Sequence, residues 1–182
     1  RRLSLPYEEA RAISNLGRLA LARGEFEEAL IEMNKALAIF CRLGALLDIV
    51  AVYCDMTRLF LAQGDYSRAE EMARLRQHQA RILGNAELSL LALADLAECE
   101  ARAGRREAAR ADYAHALRQV KKEGDRIPSS TIHQISEKAI GFLEADSCLT
   151  YGADQARLWR ERLGKGEYEK LLEELPGRLE CG

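Results

Sequence analysis

Gly24-Glu25-Phe26-Glu27-Glu28-Ala29-Leu30 decides the fold, because its skeleton returns twice at a step of forty residues, as Gly64 with Ala69 and as Gly104 with Ala109. A second series, Gly44, Gly84 and Gly124, keeps the same step. Self-similarity at this period marks a solenoid, in which each unit is one supersecondary element that buries its apolar face only against its neighbours. Residues 5–44, 45–84 and 85–124 are therefore three units, each made of two helices joined at the middle glycine and closed by the last.

The helical period runs through all three. Ile13, Leu16, Ala20 and Leu21 mark one apolar face before Gly24, and Phe26, Ala29, Leu30, Met33, Ala36 and Leu37 mark another after it. Tyr53, Met56 and Phe60, then Tyr66, Ala69 and Ala73, take the same places in the second unit, as do Leu93 and Leu96, then Ala109, Tyr113 and Ala116, in the third. Glycine suits the junctions because helices commonly end in a left-handed residue, a conformation that a Cβ penalises. Each helix is then about 17 residues, roughly 25 Å long.

Asn15-Leu16-Gly17, Ala20, Gly24-Glu25-Phe26, Ala29 and Ala36 resemble the tetratricopeptide repeat (TPR), whose pattern is a Leu-Gly pair, a glycine turn, an aromatic and two small residues. The second unit departs from it with Met56-Thr57 and Arg76, and the third with Leu96-Ala97, Glu100 and Arg106. The common unit is 34 residues. Forty-residue variants closed by Leu-Gly, here Leu43-Gly44 and Leu83-Gly84, resemble those of bacterial multidomain regulators and of LGN-type adaptors. The resemblance implies an all-α fold, an α-α superhelix of antiparallel helix pairs, with residues 1–182 forming a single TPR-like solenoid domain.

Residues 125–182 admit two registers. In one, Arg162-Leu163-Gly164 closes a degenerate fourth repeat, 125–164, with Glu144 and Leu149 in place of the central glycine and alanine, and residues 165–182 form a capping helix. In the other, Gly166-Glu167-Tyr168-Glu169-Lys170-Leu171-Leu172 repeats the phrase at Gly24 and an extra helix intervenes earlier. The first is the favoured expectation. Both predict helices near 129–146, 152–163 and 167–175, since Pro128-Ser129-Ser130 is a start signal and Pro176-Gly177 a stop.

With 48% apolar and 31% charged residues and three prolines, the composition is that of a soluble helical protein. A net charge of −2 gives no electrostatic reason to expect nucleic acid or an anionic membrane, and no apolar run approaches the 18 residues of a membrane span. Five scattered cysteines, Cys41, Cys54, Cys99, Cys148 and Cys181, favour reduced thiols and a cytoplasmic setting. His78, His115 and His133 stand apart, without metal-ligand spacing. No phosphate-binding glycine motif is present, Gly17 reads as a close helix contact, and paired carboxylates such as Glu27-Glu28 are solvated helix faces. The expectation is a protein that is not an enzyme and needs no cofactor and no metal. Arg1-Arg2-Leu3-Ser4 is a short basic phosphorylation-like sequence, and Trp159 is read as packing on the preceding helix.

By the resemblance, the first helix of each unit lines a concave groove. Its positions here are Arg11, Ser14, Asn15 and Arg18, then Cys54, Asp55 and Arg58, then Leu91, Asp95, Glu98 and Arg102. The family's clamp for acidic chaperone tails falls on Ser14, Arg18, Asp55, Leu91 and Asp95, and two acidic residues among them would repel a carboxylate. The groove instead passes from basic to acidic, which suits a helix or extended peptide of complementary charge. The expected function is a protein-interaction scaffold binding such a segment, as the regulatory or sensor module of a larger signalling or transcription regulator. The alternatives are an oligomerisation domain, which an exposed apolar patch at Trp159 and the last helix would favour, and a sensor of a small ligand or peptide.

Overall fold

The computed structural model describes residues 4–145 and 153–180. Its α-helices are α1 (Ser4–Arg23), α2 (Phe26–Leu43), α3 (Leu46–Gln63), α4 (Tyr66–Ile82), α5 (Ala86–Arg102), α6 (Arg106–Glu123), α7 (Ser129–Ala145), α8 (Ala153–Lys165) and α9 (Tyr168–Glu180), with a short 3-10 turn at Gly124–Arg126. No strand occurs among the described residues. The chain divides into two compact units, Arg1–Asn85 and Ala86–Gly182. Arg1-Arg2-Leu3, Cys148, Leu149 and Cys181 lie outside the described residues, as does the side chain of Ser4.

In the first unit, each helix packs on the next, α1 on α2, α2 on α3 and α3 on α4. This consecutive antiparallel pairing is that of a TPR-like α-α solenoid. Small residues make it possible. A Cβ on Gly17 would lie 3.1 Å from Met33 Cγ and 3.3 Å from the Ala29 carbonyl oxygen, so any side chain there pushes α1 off α2. Met33 and Phe40 of α2, and Val50 and Leu59 of α3, are fully buried. Each such side chain contributes about 1.5 to 3 kcal/mol through removal from water.

The turns are closed by backbone alone. Gly64 has φ +76°, its N–H donates to the Leu61 carbonyl (3.2 Å), and Asp65 N–H donates to Phe60 (2.9 Å). The same two bonds recur at Gly24, Gly44, Gly84, Gly104 and Gly166. These pairs satisfy the orphan carbonyls of the preceding helix, and the left-handed residue they require is glycine at no steric cost.

Three departures from the sequence reading follow from packing. Leu16, assigned to an apolar face, is 56% exposed, because α1 has a neighbour on only one side in this unit. Gly164 lies inside α8, and the left-handed turn falls two residues later at Gly166. Pro176 does not stop the last helix. A proline in a helix interior costs about 3 kcal/mol or more, but Leu175, Pro176 and Leu179 are all buried, and their burial offsets it.

In the second unit α5 packs on α6, and α6 lies against α9 rather than α8. Arg118 pairs with Glu180 and Lys121 Nζ lies 3.8 Å from Glu173 across that contact. Helix α7 touches both α5 and α6.

Candidate functional site

In the first unit α1 presents Arg11, Asn15 and Arg18 to solvent, with Ser14 half-buried. Arg11 leans over the Tyr7 ring, 5.9 Å from its centroid, and lies 3.6 Å from Glu8. On α3, Cys54 is half-buried and Arg58 exposed. Asp55, expected on an open surface, is buried. Its neighbours explain how a carboxylate tolerates that. Arg18 Nε lies 3.8 Å from Asp55 Oδ2, and Arg58 NH1 lies 3.7 Å from Oδ1. Burial pushes the Asp55 carboxyl above its usual range, and Arg18, Arg58 and Arg76 only partly counter it. Both guanidinium groups are more than 60% exposed, so each pair is worth at most about 1 kcal/mol. The local result is two solvent-facing cations around one sunken anion.

The second unit arranges the corresponding residues differently. Asp95 and Glu98 of α5 both hold Lys138 of α7, whose Nζ lies 2.5 Å from Asp95 Oδ1 and 2.8 Å from Glu98 Oε2. Burial alone would lower the Lys138 ammonium, but the two carboxylates outweigh it and raise it. Arg102 NH2 lies 3.9 Å from Glu98, and Leu91 is half-buried. Thr131 Oγ1 donates to Glu87 at 2.6 Å on the same pair of helices.

Lys138 was not among the sequence candidates. Only the degenerate fourth repeat reaches α7, and only a search for a cation facing two carboxylates one helical turn apart would have found it. It also borders a cleft of about 500 Å³ walled by Tyr113 and Phe142, with Glu98, Arg102 and Arg106 on its edge. The two rings are 5.5 Å apart, and burial, followed by Glu98 and Asp95, drives the Tyr113 hydroxyl far above its ordinary pKa. Tyr113 is a neutral hydrogen-bonding wall at physiological pH.

Among the described residues no cluster of His, Cys, Asp or Glu could hold a metal ion, and no helix is long and apolar enough to cross a membrane. Trp159 is fully buried, its Nε1 donating to Glu174 Oε2 at 3.2 Å, in keeping with the packing role read from the sequence, and it forms no part of an exposed apolar patch.

The helix pairs α1–α2 and α3–α4 coincide with a match to the tetratricopeptide repeat family model over residues 8–76. Residues 8–76 carry tetratricopeptide repeats. No curated protein matches it. TPR arrays generally mediate protein–protein interaction, and the fold is typically a non-enzymatic scaffold.

Proposed function

We propose that the first-helix face of the TPR array holds a helix or extended peptide of a protein partner. The observation that supports this reading most is the Asp55 arrangement. One buried carboxylate orients Arg18 and Arg58 without covering them, and a guanidinium carries five donors, so both remain able to grip an acidic side chain in bidentate fashion. In the second unit, taken by itself, Lys138 already satisfies Asp95 and Glu98, which makes that face near neutral rather than acidic. Placement within a larger signalling or transcription regulator follows the likeness of the Leu43-Gly44 and Leu83-Gly84 closes to those of multidomain regulators. A second reading, a sensor of a small ligand or peptide, draws on the Tyr113–Phe142 cleft, whose size is in the range of ligand pockets.

The test is peptide display selected on the immobilised chain, followed by titration of the selected peptides. Arg18→Glu with Arg58→Glu should weaken binding at least about tenfold, or 1.4 kcal/mol. Folding should lose no more than about 2 kcal/mol, since each exposed pair with Asp55 is worth at most about 1 kcal/mol, and circular dichroism should still show a fully folded chain. Arg42→Glu with Arg81→Glu, exposed at the ends of α2 and α4, is the charge control. Equal loss from both pairs, or none from the first, overturns the reading.

A further inference from the structure

Leu5, Ala12, Leu16 and Leu19 form a stripe on α1 within an arc of about 60° at 100° per residue, and all are exposed, Leu16 at 56% and Leu19 at 47%. The repeat says what such a stripe is for. One unit along, Val52, Met56 and Leu59 occupy the places of Ala12, Leu16 and Leu19, and they are buried to 2% exposure or less in α3, which packs on α2 as well as α4. The neighbouring face of α1 is already used, since Ala10, Gly17 and Ala20 are buried and Gly17 approaches Met33. Ala12, Leu16 and Leu19 therefore form a helix-packing surface that no helix among the described residues covers. The last helix offers nothing to fill it, for the exposed residues of α9 are Glu169, Lys170, Glu173, Gly177, Arg178 and Glu180.

The stripe is complementary to itself. Glu8 stands at its N-terminal end and Arg23 at its C-terminal end, both exposed and on or next to the same arc. When two copies of α1 lie antiparallel with the twofold axis beside Leu16, Glu8 meets Arg23 of the other copy, Ala12 meets Leu19, and the two Leu16 side chains meet each other. Small faces large and acid faces base. A parallel arrangement would set Glu8 on Glu8 and Arg23 on Arg23.

We propose that this chain self-associates as an isologous dimer through antiparallel packing of α1 on α1, in the manner in which α2 packs on α3. The interface is one helix wide, which places it in the weak, concentration-dependent class. Sedimentation equilibrium over about a hundredfold range of concentration tests it. The wild-type chain should pass from monomer to dimer, and Leu16→Glu with Leu19→Glu should keep it monomeric while its helical circular dichroism is unchanged. Arg23→Glu alone should weaken the dimer at least about fivefold, and adding Glu8→Arg should restore it to within about twofold, the mark of an antiparallel register. A wild-type chain monomeric throughout leaves the stripe to an amphipathic helix of another protein and overturns the proposal. So does a dimer that survives the leucine substitutions or a charge swap that fails to restore association.

Discussion

Asp55 and Asp95 stand one repeat apart, at the same step of the same kind of helix, and their surroundings differ in charge, two exposed cations around the first and one shared cation beside the second. Asp55 sits low between two exposed arginines, one on its own helix and one on α1. Asp95 shares a single lysine from α7 with Glu98. The repeat fixes where a side chain stands, whereas the charge it shows to a partner is set by whichever helix comes to lie beside it. Regular packing in the first unit leaves its cations outward, and the irregular helix of the second draws its cation inward.

The largest effect that sharpens this contrast should come from Lys138→Met. It removes the cation that Asp95 and Glu98 share, and should cost about 1 to 3 kcal/mol, less than a fully buried pair because a third of the Lys138 side chain still meets water. The pH dependence follows from the raised ammonium. Its stabilisation is fully present below about pH 10.4, the ordinary lysine value, and is lost as pH rises through the folded value. Thermal melts of the wild type should therefore fall away more steeply above that pH than those of the variant. Parallel curves would mean that the lysine is not held as described.

Turn variants test where the units end. Gly64→Val and Gly166→Val should each cost about 1 to 2 kcal/mol in chemical denaturation, since φ is +76° and +71° there. Gly164→Ala, inside α8, should instead gain about 0.5 to 1 kcal/mol. A loss at Gly164 equal to that at Gly166 would return the turn to the earlier register.

Asp55→Asn should have the smallest effect, within about 1 kcal/mol and without loss at pH 7. Because burial raises the folded Asp55 carboxyl, its contribution is favourable below about pH 3.9 and is lost as pH rises through the folded value. The wild type should gain stability over the variant on acidification through that window. A loss above about 2 kcal/mol at neutral pH would make Asp55 a structural anchor comparable to the Lys138 cluster.

The turns were legible because a left-handed residue leaves a chemical trace, a glycine, and Gly24, Gly44, Gly64, Gly84 and Gly104 all have positive φ. Gly17 was legible as a contact because a close helix approach that leaves no room for a Cβ also marks itself with a glycine. Leu16 was not, since periodicity identifies an apolar face but is silent on whether another helix covers it. Lys138 escaped because its partners lie 43 and 40 residues away on a helix outside the regular repeat. Pro176 misled because the cost of a proline is local, while the burial of Leu175 and Leu179 that offsets it is tertiary. The groove assignments came from resemblance, and the structure adds their neighbours and their charge.

Asp65 lends a side-chain cap, to Arg68 N–H at 3.0 Å, while Glu25, Ala45 and Arg105 lend none. The forty-residue segment thus carries its hydrogen bonding with it at both ends. A duplication of residues 45–84 in frame would need no new capping partner at either junction, only an apolar face to meet the one it displaces. Lengthening the array by copying is chemically undemanding, and the freedom so gained falls on the outward residues, which are the ones a partner reads.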